Sequence, residues 1–453
     1  MGIFGVASST TNAPGPAGHW LWGHLSAIRG DELGLVLESA RAYGDVVRFR
    51  LGPVVFHLLN HPDHVEHVLV RRAQNYRREG RSAGFLREVC GTSLLTGDGS
   101  LWREHRRLMQ PAFVSRTVAT LAGVMARSVA ELLVRWESWA RQGATVDVAA
   151  EMNRTAFIIA GRGLFGEEVG PEAGVVESAL TEVLAQTFKR VQSLWSCPRW
   201  WPTLENRRFK TAIREMDRVV YRIIEHRRQE EGERADLLSL LMKAGSETLR
   251  NGFSNADLRN EAITLLLAGH ETTANALAWT FHLLAEHVEA QRQVREEAGR
   301  VLGEQEAPGA EDLARLPFTT AVLQESMRLY PPIWILERQV TAADEIGGFR
   351  IPARSSVVVS PWALHRHPGF WEAPEEFRPD RFTRAPVTNS YLPFGLGPHQ
   401  CIGQHFALFE ARTLLAMVAR RFRWEKVAGQ VIRPKGGITL RQEPGLRVKL
   451  FVA

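Results

Sequence analysis

Cysteine is scarce: 453 residues hold three, Cys90, Cys197 and Cys401, far apart along the chain. That excludes a disulfide framework and predicts a reducing compartment. No apolar run is long enough to span a bilayer, and Met1 to Thr11 has neither the charge nor the apolar stretch of a secretory signal. Met1-Gly2 opens like a myristoylation site, yet Val6 stands where Ser or Thr is required. A soluble, cytoplasmic protein without a transmembrane anchor is expected. No glycine-rich flavin or nicotinamide fingerprint is present. No nucleic-acid motif accompanies the net charge of +6, and the arginines are spread along the chain. The basic balance therefore predicts a face that docks an acidic protein partner, not a nucleic acid.

What is present is a 45% hydrophobic chain, enough for a sizeable core, with its chemistry concentrated in a few short stretches. Phe394-Gly395-Leu396-Gly397-Pro398-His399-Gln400-Cys401-Ile402-Gly403 places one cysteine in a glycine- and proline-rich loop. A helical pattern, Ile402 to Phe422, follows at once. The free N–H groups and dipole of a helix N-terminus favour a thiolate over a thiol. The bland alternative is a structural cysteine near a turn.

Other stretches divide into structural and chemical. Pro14-Gly15-Pro16 is a stiff entry. Residues 46–51 and 54–59 flank Gly52-Pro53 as a β-hairpin. His61, His64 and His67 read as a solvated helix face, since no carboxylate or cysteine completes a metal set. Trp102 and Arg106 are four apart on one helical face, where an indole N–H and a guanidinium can hold a carboxylate. Residues 118–140 and 152–165 are amphipathic helical patterns. Residues 227–234 form a charged connector, read as a solvated loop. Ser254-x-x-Asp257 caps a helix running to about His287, apolar all round and hence buried. Its middle is Ala268-Gly269-His270-Glu271-Thr272-Thr273: small residues that leave space for a flat ligand, then an acid that is costly to bury without partners. Such a Thr hydroxyl can bond the i−4 carbonyl and open a local kink. Glu325 and Arg328 share a face of a helix ended by Pro331-Pro332. Ile333 to Leu336 is apolar and partly strand-like. Residues 436–440 and 446–450 read as a terminal hairpin.

The cysteine loop resembles the haem-binding loop of cytochromes P-450, Phe-x-x-Gly-x-Arg/His-x-Cys-x-Gly, with every fixed position filled and histidine, which offers fewer N–H groups than arginine, at position 399. The resemblance runs from Pro14 to the C-terminal strands. It implies one domain over 1–453, with 1–20 as an N-terminal extension. The fold would be mainly α with a smaller β part, a long central helix lying over the haem. It implies haem b with Cys401 as axial thiolate and metal ligand, and Phe394 and Gly403 lining that loop. Trp102, Arg106, Arg338 and His399 would meet propionates, and Ala268 and Gly269 would leave room beside the haem. Glu271 and Thr272 would activate oxygen. Glu325, Arg328 and Arg381, the last from Phe377-Arg378-Pro379-Asp380-Arg381-Phe382, would brace the loop leading into Cys401.

Phe85, Leu86, Ile333, Trp334, Ile335 and Ile438 occupy segments that line the pocket in relatives, implying a small apolar substrate or an apolar part of one, with fatty acid, terpenoid, steroid and polyketide all open. Trp195 to Pro202 matches an access-channel lid; a core plug or a membrane-touching surface stays open. Function is then a haem-thiolate monooxygenase using O2 and electrons from a ferredoxin or flavodoxin with its reductase, since the chain has no length left for a reductase. The alternatives are a peroxide-driven peroxygenase, whose known members lack the acid–Thr pair, a non-catalytic haem-thiolate sensor, or a haem-free helical binding protein.

Overall fold

Val46–Leu51 (β1) and Val54–Leu59 (β2) are β-branched runs that turn on Gly52 at φ +57° and pair antiparallel, Leu51 opposite Val54. The computed structural model describes residues 11–166, 173–191, 197–229, 236–248, 253–383 and 388–453. It divides into two compact units. Residues 11–82, 334–375 and 388–400 make the first. Around the hairpin it adds Tyr76–Arg77 (β3), Leu336–Val340 (β5) and Ser356–Val359 (β8) in a five-stranded sheet of order β1-β2-β8-β5-β3. Asp344–Ile346 (β6) and Phe349–Ile351 (β7) form a separate pair. Two apolar clusters fill the unit, one on Val46, Leu59, Val357 and Ile351, the other on Val47, Phe49 and Leu58. Alternation along β1 sends neighbouring residues to different clusters.

The second unit, described residues from Ala83 to Ile333, 376–383 and 401–453, is mostly helical. Its named helices are Gly99–Met109 (α1), Ala122–Arg141 (α2), Val148–Phe165 (α3), Ala173–Val191 (α4), Leu204–Gln229 (α5), Asn255–Glu286 (α6), Pro317–Leu329 (α7) and Gln404–Arg421 (α8). Ser254 caps α6 through a full capping box with Asp257. The 32-residue α6 packs against α3, α5, α7 and α8, which explains its apolar circumference. Trp279 near its end stacks flat on Tyr330, ring centroids 3.8 Å apart.

Three expectations need correcting. The C-terminal strand Arg447–Val452 (β12) does not pair with 436–440: it lies between Thr145–Asp147 (β4) and Phe422–Lys426 (β9). The local hairpin is instead Arg433–Lys435 (β10) with Arg441–Glu443 (β11). The histidines at 61, 64 and 67 are not one solvated face. His61 accepts from the Asp63 N–H as a helix cap, His64 is half-buried, and His67 Nε2 meets Asp344 Oδ2 at 2.9 Å. Arg227 is no loop residue: it is buried in α5 and paired with Asp236. Residues 230–234 of that connector lie outside the described residues, as do Trp195 and Ser196 of the aromatic segment. The strand after Ile333 starts at Leu336. No helix among the described residues is long and apolar enough to cross a membrane.

Candidate functional site

Cys401 precedes α8, whose N-cap is Gly403 with no capping side chain. The thiol is exposed, and a Cβ at position 403 would sit 3.9 Å from its sulfur. Glycine there keeps the uncapped backbone N–H groups open to a negative sulfur. The sulfur's charge also reaches Arg106 on α1: burial lowers the pKa of that half-buried guanidinium, and Cys401 opposes the shift. Trp102 is buried one turn earlier, its indole N–H donating to the Leu94 carbonyl at 3.1 Å. Two residues that the sequence did not flag hold α1 in place. Glu261 on α6 accepts from His105 Nδ1 at 3.0 Å and from the Leu94 N–H at 3.1 Å.

Between Glu261 and Leu284, α6 is buried everywhere except at Leu265, Ala268, Gly269, Glu271 and Thr272. Leu265, Ala268, Gly269 and Thr272 fall on one helical face, with Glu271 at its edge. The helix is therefore open along one stripe and sealed elsewhere. Thr272 Oγ1 donates to the Ala268 carbonyl, four residues back, at 2.6 Å. Glu271 Oε1 accepts from Thr439 Oγ1 at 2.8 Å, and Thr439 accepts from Asn275 at 3.1 Å. Thr439 is held beside α6 because Trp279 and Gln442 also bond across to the same segment and helix. Neither Thr439 nor Asn275 carries a sequence signal, being 168 and four residues from the acid they serve. His270, on the sealed side, packs edge-on to Phe157 of α3, and neither ring nitrogen has a partner among the described residues. Burial drops its pKa to about 4, so the imidazole is neutral.

The brace lies in the same unit. Arg328 meets both oxygens of Glu325 at 2.7 and 2.8 Å, and Arg381 Nε joins at 2.9 Å. The Arg378 N–H donates to Glu325 at 2.8 Å, and Arg328 also donates to the Glu376 carbonyl at 2.9 Å. One fully buried carboxylate thus organises the 376–381 loop. Phe85 lies beneath the Arg190 guanidinium, and Leu86, Ile333 and Ile438 are half-buried.

In the first unit, the loop carrying Phe394 and His399 is tightly placed. Gly397 has φ +73°, and a Cβ there would fall 2.0 Å from the Leu69 carbonyl oxygen, so only glycine fits. Arg78 donates to the His399 carbonyl at 3.0 Å. Arg338 on β5 is mostly buried and donates to the Glu337 carbonyl. Trp334 is buried, its carbonyl accepting from Ser360, while Ile335 packs on the sheet's own core.

An exposed thiol at a helix N-terminus, a guanidinium within its field and an open stripe of small residues suit a flat, anionic, iron-bearing ligand such as haem. Comparison with known proteins points the same way. The family model for Cytochrome P450 matches residues 13–450. Cyclooctatin synthase of Streptomyces melanosporofaciens is 34% identical over 435 residues, 95% of this chain and 93% of that protein. Cyclooctat-9-en-7-ol 5-monooxygenase of the same organism is 34% identical over 432 residues, 94% of this chain and 91% of that protein. Among solved structures, the heme domain of cytochrome P450DA superposes with a TM-score of 0.89 at 26% identity, covering 98% of both chains.

Proposed function

The chain belongs to the cytochrome P450 family of oxidoreductases, and from that premise we propose a monooxygenase that inserts one oxygen atom of O2 into a small apolar molecule, with haem b ligated by Cys401. The observation that carries this reading is the stripe on α6, open between Glu261 and Leu284 only where Leu265, Ala268, Gly269, Glu271 and Thr272 stand. When bound, a thiolate-ligated haem supplies oxygen activation, the sulfur pushing electron density toward O–O cleavage.

The chain's own side chains do the rest. The α8 N-terminus holds Cys401 as thiolate. Arg106, Arg338, His399 and Trp102 would hold carboxylates of the cofactor. Thr272 Oγ1 holds a proton at the open stripe, and Glu271 replenishes it. Thr439 and Asn275 keep that carboxylate aimed. Phe85, Leu86, Ile333, Trp334, Ile335 and Ile438 offer apolar contact to substrate. Relatives named cyclooctatin synthase and cyclooctat-9-en-7-ol 5-monooxygenase support a compound related to cyclooctat-9-en-7-ol as the substrate class. Electrons arrive from a ferredoxin or flavodoxin docked through basic residues, with exposed Arg103 and Arg107 as candidates. Cytoplasmic residence fits three cysteines that form no disulfide among the described residues. A peroxide-driven variant of the reaction is disfavoured by the retained Glu271-Thr272 pair.

The test is the carbonyl difference spectrum of the reduced protein. The red-shifted Soret band that gives the family its name is expected, and it should be lost in Cys401→Ser. Wild-type protein showing only the shorter-wavelength band, or a variant retaining the red-shifted one, would remove Cys401 from the ligand role.

A further inference from the structure

The edge strand β1 borders a recess in the first unit that the oxygen chemistry does not use. Val46, Arg48 and Arg50 alternate with Val47 and Phe49 along the strand, so they share one face. Val46 enters the core, and the two arginines beyond it stand half-buried, about 7 Å apart at 3.4 Å per residue. A cavity of about 240 Å3 lies against them, walled by the 13–18 stretch and His24. That wall is fixed. The Arg48 N–H donates to the Pro14 carbonyl at 2.7 Å, and a Cβ on Gly15 would fall 2.0 Å from the Arg48 carbonyl oxygen, so the 13–16 stretch presses on the free edge of β1. His24 Nε2 donates to the Pro16 carbonyl at 2.9 Å, and its Nδ1 accepts from the Arg50 N–H at 3.1 Å. The imidazole is spent on backbone groups and acts as a strut.

The charge in this recess is unbalanced. No carboxylate lines it. Arg50 gives Nη2 to the His19 and Trp20 carbonyls, which leaves its Nε and Nη1 hydrogens without a partner among the described residues. The Arg48 guanidinium has neither an ion pair nor a hydrogen bond among them. His57, directly opposite Arg48 on β2, supplies no compensating charge: burial, and then the Arg48 cation, hold its pKa down at about 4. A carboxylate brings one charge and two oxygens, too few for two planar forks. A phosphate dianion brings two charges and at least three acceptor oxygens, which suit both.

We propose that this cavity binds a phosphate dianion, free or as a small soluble monoester, gripped between Arg48 and Arg50. Bound there, the anion neutralises two like charges on one strand and, through Arg50, fastens residues 19–20 to the sheet. The site couples the stability of the first unit to phosphate and takes no part in oxygen transfer.

Calorimetric titration of the intact protein with sodium phosphate, at an ionic strength held constant with sodium chloride, tests this. Saturable one-to-one binding is expected. Glycerol 3-phosphate binding as tightly would assign the site to monoesters, and weaker binding would assign it to free phosphate. Acetate should bind about tenfold more weakly than phosphate, or worse. R48Q and R50Q should each lose about tenfold in affinity or more, the worth of a charge-assisted hydrogen bond. R48K should keep part of it, since lysine retains the charge and not the fork. R207Q, which removes an exposed cation from α5, should match wild type. Circular dichroism shows that each variant is folded. A titration without saturable binding overturns the proposal, as does wild-type affinity in both R48Q and R50Q, or acetate binding as tightly as phosphate. Haem ligation plays no part in the readout, so the assignment of Cys401 and the assignment of this site stand or fall separately.

Discussion

His105 and Glu261 meet at 3.0 Å in a buried pair that ties α1, with Trp102 and Arg106, to the central helix. Burial, the largest influence, pulls the His105 pKa down, but the hydrogen bond and charge of Glu261, aided by Asp257 and Glu104, carry it above the ordinary histidine value. A pKa raised in the folded state gives stability that is complete below the unfolded value, near 6.5, and fades as pH rises through the folded one.

His105→Phe should therefore destabilise the fold by about 3 kcal/mol in weak acid, because it strands a buried carboxylate. Denaturant unfolding of wild type and variant should show that gap narrowing as the solution is made alkaline. A gap independent of pH would show that the imidazolium is not the stabilising form.

Thr272→Ala should keep the cofactor and its spectrum while wasting electrons. General acid assistance is worth about a hundredfold or more, and loss of the proton held at Oγ1 should divert reducing equivalents to peroxide. Product and peroxide per electron pair consumed are the quantities to measure; an unchanged ratio would free Thr272 from this role.

Thr439→Val removes the hydrogen bond that aims Glu271, together with the acceptor for Asn275. A bond to a charged group contributes about 1.5 kcal/mol, so turnover should fall about tenfold with an unaltered carbonyl spectrum. Glu271→Gln should be at least as slow, and adding Thr439→Val to it should cost little further. Additive effects would mean that the two residues act separately.

Glu325→Gln should be the most damaging of these substitutions to stability. Arg328 is fully buried and Arg381 nearly so, and both lean on this one carboxylate. Losing its charge leaves a buried guanidinium uncompensated, at a cost of about 3–5 kcal/mol. A drop in the denaturant midpoint tests this, with Arg328→Lys also destabilised because an ammonium cannot reproduce the two-pronged contact.

Local signals were legible in the sequence. Ser254 and Asp257 announce the start of α6 by their own hydrogen bonds, and the Gly52-Pro53 turn sets the β1–β2 pairing. The 401–403 stretch shows as a motif because a glycine-rich loop meeting a helix is contiguous in sequence. Long-range choices were not legible. β12 had a nearby partner in sequence but pairs with β4 and β9, since edge selection depends on the packed helices and not on spacing. Arg227 reads as part of a charge run until Asp236 is folded against it. Thr439 and His105 become site residues only through contacts 168 and 156 positions away. Alternating polarity says which residues are inside, never which buried polar groups find each other.

The single open stripe on α6 also limits how this enzyme can diversify. Most of the helix is locked into the core, where changing size leaves a void or a clash. A Cβ at Gly269 would meet Ala160 at 3.8 Å, an ordinary contact. Glu271 and Thr272 are tied to chemistry. Leu265, Ala268 and Gly269 are left as positions where mutation reshapes the cavity wall without repacking the interior, so descendants with new substrate preferences should carry their helix changes there.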